Sequence, residues 1–317
     1  MKAAWLEAGE VSLRDVPSPT RLPGQAMLRL ITGGICNTDL ELQRGYYGFA
    51  GTPGHEFVAE VIAADNPAWV GERVVGEINL ACGKCDWCAR DLGRHCPQRT
   101  VLGIVRHPGA FAELFTLPEG NLLRVPSGMS TEHAVFTEPI AAACEILEQV
   151  AIPAGAEVAV LGDGKLGLLI AQVLAAHGVR VRQFGRHADK LRIAALAGVS
   201  TELTTGSLPA AAFRYVVDAT GSAEGLAQAV RMTEPRGTLI LKSTVAGQVA
   251  VDTAPIIVNE LTLVGSRCGR FQPALALIAG GKLHLDEMIV GRYPLASVPA
   301  AFAHAGSRGT LKVLLDA

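Results

Sequence analysis

The rhythm of apolar and polar positions changes part-way along the chain. Up to about residue 140 the apolar runs are short and broken by glycine and proline. Residues 1–35 read as β-structure, with a strand at 27–31 entered after turns at Pro17, Pro19, Pro23 and Gly24. Residues 57–63 and 72–78 read as further short strands. Short strands, Gly/Pro turns and few helices predict a compact, barrel-like β unit. Beyond residue 140 helical and strand periods alternate. Residues 140–150 carry Ile140, Ala143, Cys144 and Leu147 on one helical stripe. A buried strand at 157–161 follows, then a helix at 166–177 ended by Gly178, a strand at 180–184 and a helix at 189–197 ended by Gly198. Strands at 215–218 and 238–241 flank a helix near 223–232. Repeated strand–helix units imply a doubly wound parallel sheet. The tail carries a helix at 273–279 and a terminal strand at 311–315.

Composition narrows the class. A chain of 317 residues suggests two domains. Hydrophobic content of 49% with 18% charged residues describes a globular chain, not a disordered one. A net charge of −2 gives no electrostatic case for nucleic acid or an anionic membrane. The start lacks an apolar signal-peptide core, and the most apolar window, 158–178, contains Asp163, Lys165 and too many glycines to span a bilayer. The cytoplasm is the expected compartment. Seven cysteines, four of them within 82–96, therefore read as metal ligands rather than disulfides.

Three patterns carry candidate chemistry. Cys36, His55 and Glu138 offer a thiolate, an imidazole and a carboxylate, the ligand mix of an open catalytic zinc site, although such a triple is weak evidence alone. Cys82, Cys85, Cys88 and Cys96 offer four thiolates, enough to close a tetrahedral zinc completely, so that site reads as structural. Two disulfides, an iron–sulfur cluster and a zinc ribbon for nucleic acid are the alternatives, the last weakened by few nearby basic residues. Gly162-Asp163-Gly164-Lys165-Leu166-Gly167 is a G-x-G-x-x-G loop between a strand and an apolar helix. Its glycines permit a tight turn and close approach to a pyrophosphate, and the helix N-terminus supplies free N–H groups. The second strand ends at Gly185-Arg186-His187. An NAD site usually has an acid where Gly185 stands, and Arg186 offers a fork for a 2′-phosphate, so this end predicts NADP, with NAD as the alternative. The other reading of Arg186 is a solvated or adenine-stacked side chain.

Together, in this order, these motifs resemble the zinc-dependent medium-chain alcohol dehydrogenase superfamily from about Met1 to the C-terminus. The resemblance implies a GroES-like β-barrel catalytic domain at 1–139 and 269–317, with a structural zinc lobe at 82–96. It implies a Rossmann domain at 140–268. Cys36 and His55 match the first two zinc ligands, and Glu138 the third, which is glutamate in the polyol, threonine and glucose dehydrogenase branch. Glu56 matches a residue that binds the metal directly or exchanges with water. Asp39 matches the carboxylate that orients the zinc-bound histidine, Thr38 the hydroxyl that relays the substrate proton, and Leu166 a residue beside the nicotinamide. Arg267 falls where this branch often has an arginine near cofactor and substrate. Two positions depart: Glu41 stands where a histidine often ends the proton relay, and Asn37 replaces a basic residue that often touches the pyrophosphate. The implied activity is hydride transfer between NADP(H) or NAD(H) and an alcohol, polyol or sugar, or the corresponding carbonyl. The expected partners are that small molecule and copies of the chain itself, as a homodimer or homotetramer, with no nucleic acid and no membrane. A zinc-independent quinone or enoyl reductase and a non-enzymatic redox or cofactor sensor are the rival readings. The substrate pocket is expected near Tyr46, Tyr47, Phe49 and Arg106.

Overall fold

A computed structural model describes residues 1–243 and 248–317. The chain divides into two compact units, Met1–Glu138 with Ile289–Ala317, and Pro139–Met288.

The first unit is built on strand Gln25–Gly34. It pairs antiparallel with Glu56–Ala63, Leu114–Pro118 and the C-terminal strand Lys312–Asp316. Ala26, Leu28 and Leu30 alternate into the core, and by Gly33 and Gly34 the strand is buried on both faces. The sheet continues through Arg73–Gly76 and Leu122–Arg124 on one side and Ile289–Pro294 on the other, seven strands in all. Helix Val298–Gly306, which the sequence pattern did not reveal, closes its core. Val298, Ala301, Phe302 and Ala305 form an i, i+3, i+4, i+7 stripe against Ile35, Leu40, Phe111 and Leu315. Half of that stripe is alanine, which weakens the hydrophobic signal. The expected strand at 72–78 is shorter, Arg73–Gly76.

The second unit is a six-stranded parallel sheet in the spatial order Ser200–Leu203, Arg180–Gly185, Glu157–Leu161, Phe213–Asp218, Thr233–Leu241, Thr262–Gly265. In chain order this is 3-2-1-4-5-6, the doubly wound arrangement whose ligand crevice lies at the carboxyl ends of strands 1 and 4. Val158, Ala159 and Val160 are fully buried, as a central strand covered on both faces requires. The helices observed at Lys165–Ala176, Ala188–Leu196 and Ala223–Met232 lie within one residue of expectation. Strand Thr233–Leu241 begins five residues early because a bulge absorbs Pro235 and Arg236, the latter at φ 62°.

Residues 269–288, expected with the tail, lie in the second unit. Packing explains the placement. A Cβ on Gly269 would stand 1.9 Å from the Ala141 carbonyl oxygen, so the two backbones are in contact. Buried Gln172 accepts from the His284 N–H at 2.7 Å.

Candidate active site

Cys36 ends the central strand's exit and caps helix Asn37–Gln43. One turn into that helix, Asp39 is fully buried and organises the site. Its Oδ2 accepts from the Cys36 N–H at 2.9 Å and its Oδ1 from the Gly54 N–H at 3.2 Å. The same Oδ1 lies 3.4 Å from His55 Nδ1, close enough for an ion pair though no hydrogen bond forms. Burial pushes the His55 imidazolium toward neutrality, but Asp39 and Cys36 outweigh it and hold the pKa well above the ordinary value. A ring whose Nδ1 faces a carboxylate leaves Nε2 for a metal. Thr38 Oγ1 lies 3.7 Å from Cys36 Sγ.

The ligand atoms of Cys36, His55 and Glu56 lie within 4.8 Å of one another. Glu138 stands outside that group. Its charge nonetheless reaches Lys312, where it acts together with those of Glu56 and Cys36. Lys312 is the functional residue that the sequence reading missed. It comes from the terminal strand, is 1% exposed, and its Nζ donates to Glu56 Oε2. Burial opposes its charge, but Glu56 and Cys36 keep its pKa above the usual lysine range. The available signal was a lysine in the otherwise apolar run Leu311-Lys312-Val313-Leu314-Leu315. Glu56 Oε1 is buried with no hydrogen-bond partner. An orphaned carboxylate oxygen beside a thiol and an imidazole is what a divalent cation satisfies, so the donor set fits zinc. Gly34 is required here, since a Cβ would lie 2.6 Å from Glu56 Oε2.

Cys82, Cys85, Cys88 and Cys96 form a second group with all four sulfurs within 4.8 Å. The Sγ···Sγ distances are 3.5 Å for Cys85–Cys88, 3.7 Å for Cys85–Cys96 and 3.9 Å for Cys82–Cys88. Four sulfurs at a Zn–S length of ~2.3 Å on a tetrahedron would stand about 3.8 Å apart. All four are free thiols, and a gap this size suits one ion. The Cys82 N–H directed at Cys96 draws that thiol down to about 6 against the effect of burial.

In the second unit the glycine loop joins strand Glu157–Leu161 to helix Lys165–Ala176. Gly162 has φ 120°, and a Cβ on it would stand 2.5 Å from the Ala219 carbonyl oxygen. A Cβ on Gly167 would meet the Gly162 carbonyl at 2.4 Å. Gly164, the helix N-cap, faces open space, as close approach of a phosphate requires. Lys165 and Leu166 open the helix. The end of the second strand differs from the reading that no carboxylate stands there. Asp163 Oδ2 accepts from the backbone N–H of Arg186 at 2.6 Å and of His187 at 2.7 Å. Gly185 packs on it: a Cβ there would lie 2.6 Å from Asp163 Cβ. Arg186 itself is exposed. The Arg267 carbonyl accepts from Lys242 Nζ at 2.8 Å, which anchors the backbone of its loop.

Tyr47, Phe49 and Arg106 line one cavity of about 780 Å³ in the first unit, together with Trp5, Thr52 and His107. Tyr46, which does not line it, packs on Tyr47 with the rings tilted by 41° and their centroids 4.1 Å apart. Glu41, in the relay position, accepts from Arg44 at 2.5 Å on the surface. No helix among the described residues is long and apolar enough to cross a membrane.

Comparison with known proteins accords with this geometry. Residues 22–127 match the family model described as alcohol dehydrogenase GroES-like domain, and residues 166–280 the one described as zinc-binding dehydrogenase. The chain is 31% identical to an L-threonine 3-dehydrogenase of Streptomyces avermitilis, covering 100% of this chain and 99% of that protein. It is 27% identical to a sorbitol dehydrogenase of Halalkalibacterium halodurans, covering 97% and 96%. A protein of Sinorhizobium meliloti 1021, ascribed to the zinc-binding dehydrogenases and solved bound to NADP, superposes with a TM-score of 0.89. It is 28% identical, with 100% of this chain and 99% of that one covered. The chain belongs to the zinc-dependent medium-chain alcohol dehydrogenase superfamily, in its polyol and threonine dehydrogenase branch.

Proposed function

We propose that the chain is an oxidoreductase acting on CH–OH donors, moving a hydride between an alcohol, polyol or sugar and NADP(H) or NAD(H). The observation that carries this reading is the buried group of Cys36, His55 and Glu56, with Glu56 Oε1 left without a partner. These three residues would hold zinc, and Glu138, outside the group, adds its charge at Lys312. Zinc in that position supplies Lewis acidity, which makes an alcohol proton easier to remove and a carbonyl easier to reduce. The dinucleotide supplies the hydride acceptor. Asp39 orients His55, Thr38 takes the substrate proton, and Lys312 holds one oxygen of Glu56. The four-cysteine lobe orders a loop too small for a core of its own. Gly162, Gly164 and Gly167 admit the pyrophosphate, with Lys165 and Leu166 at the helix entrance and Gly185 and Arg186 at the ribose.

The relatives named for threonine and sorbitol dehydrogenation support a polar, hydroxyl-bearing substrate. A zinc-independent reductase is not favoured, because both ligand groups are complete. The test is reduction of each nicotinamide cofactor over a panel of alcohols, polyols and aldoses, with and without a zinc chelator. Turnover insensitive to zinc removal, or no turnover on any CH–OH donor, would defeat the reading.

The edge of the parallel sheet supports a homodimer or homotetramer. Among the described residues Thr262–Gly265 pairs on one side only, and Ile257 and Val258 beside it are 71% and 79% exposed. Such an apolar edge invites a second copy. Light scattering behind size exclusion reads the mass directly. We place the protein in the cytoplasm, where reducing conditions keep the metal-binding thiols free.

A further inference from the structure

Asp163 sits between the first two glycines of the fingerprint, yet its carboxylate reaches the end of the neighbouring strand. Oδ2 accepts from Arg186 N–H at 2.6 Å and His187 N–H at 2.7 Å, and lies 3.0 Å from His187 Nδ1. Asp163 is 6% exposed. Residue 185 has to be glycine, because a Cβ would collide with Asp163 at 2.6–2.8 Å. The acid missing at position 185 is thus replaced by one delivered from the adjoining loop.

This arrangement bears on a dinucleotide, granted the dehydrogenase reading above. The adenosine ribose of such a cofactor lies against the end of the second strand. A 2′-phosphate brings up to about two further negative charges to that place. The two backbone N–H groups that would form an anion-binding nest there are already taken by Asp163. The cation offered in compensation, Arg186, is exposed, and no ion pair holds it among the described residues. A fixed, buried anion outweighs a mobile cation in water, because screening weakens only the second.

We propose that Asp163 is the ribose-side carboxylate of this site and makes the chain select NAD(H) over NADP(H). The pair Gly185 and Arg186, read alone, favours the opposite; Asp163 reverses the balance by occupying the backbone donors that a 2′-phosphate would use and by setting a negative charge beside them.

Calorimetric titration of the full-length protein with ADP-ribose and with 2′-phospho-ADP-ribose tests this without turnover. ADP-ribose is expected to bind at least about tenfold more tightly, the scale of one charge-assisted contact. Asp163→Asn keeps an acceptor oxygen and removes the charge. It should narrow the ratio about tenfold, chiefly by tightening 2′-phospho-ADP-ribose. Arg186→Ala should move the ratio less. Equal or tighter binding of the phosphorylated fragment by the unmodified protein would overturn the proposal, and that comparison needs no variant to fold. An unchanged ratio in Asp163→Asn would overturn it too. Binding of neither fragment would defeat the dinucleotide reading along with the proposal, whereas a preference for the phosphorylated one defeats only the role of Asp163.

Discussion

Lys312 and Glu56 form an ion pair inside the first unit, their side chains only 2% and 1% exposed. They stand 256 residues apart in sequence and meet because the terminal strand pairs with Gln25–Gly34, whose other edge carries Glu56. Glu56 thereby has one oxygen neutralised and the other free to ligate. Removing the lysine leaves a buried carboxylate without a counter-charge, which costs about 3–5 kcal/mol in such settings. Lys312→Met should therefore be strongly destabilised in urea, and the loss should be smaller with zinc bound, since the metal also neutralises Glu56. Equal losses with and without zinc would show that Glu56 does not face the metal.

The two carboxylates beside Cys36 and His55 are separable. Glu56→Gln should weaken zinc at that site more than Glu138→Gln does, because only Glu56 stands within the ligand group. Competition against a chromophoric chelator reads the affinity, and a loss of roughly ten- to a hundredfold is the scale expected for a residue at a metal site. Full zinc affinity in Glu56→Gln, with loss in Glu138→Gln, would return the third position to Glu138.

Metal content follows from the two ligand groups. Elemental analysis should find about two zinc per chain, as two complete sites require. Cys88→Ala should lose one and loosen the 82–96 lobe to proteolysis, while Cys36→Ser should lose the other and leave the lobe intact. A single zinc that survives Cys36→Ser would empty the proposed catalytic site.

Asp163 also ties stability to pH. Burial works to raise its pKa, but the N–H groups of His187 and Arg186 and the His187 ring hold it below the ordinary 3.8. A carboxylate depressed in the folded state contributes stability that is present above its unfolded value and lost as pH falls through the folded one. Urea midpoints should favour the unmodified protein over Asp163→Asn near neutrality, and the difference should shrink below about pH 4. A difference independent of pH would mean that the charge contributes nothing.

Gly185→Ala places a methyl 2.6 Å from Asp163 Cβ and should cost about 1–3 kcal/mol by overpacking. In an Asp163→Gly background most of that cost should vanish. Additive losses in the double variant, read from chemical denaturation, would show that the two positions do not share this space.

Local features of the chain were sufficient for much of this protein. The cysteine spacing at 82–96, the glycine loop at 162–167 and the strand–helix rhythm after residue 140 each depend on neighbours within one turn or one loop. Residue types therefore determine them. Cys36 and His55 stand out beside their glycines, but reading them as zinc ligands, with Glu138 as the third and Glu56 as an exchangeable one, rested on the family resemblance and not on local features. What the sequence did not reveal depends on pairings across long separations. Lys312 reads as an ordinary strand lysine until the terminal strand lies against Gly34 and carries it to Glu56. The tail's boundary falls at Ile289 rather than near residue 269 because Gly269 and His284 pack on partners in the second unit. Asp163 reads as a filler between two glycines until the parallel register of the first two strands sets it beside Gly185, where steric exclusion and charge together decide what residue 185 can be. Spacing along the chain determined which ligands and loops exist, and tertiary contact decided which carboxylate faces which charge, because electrostatic pairing depends on distance in space and not on order in the chain.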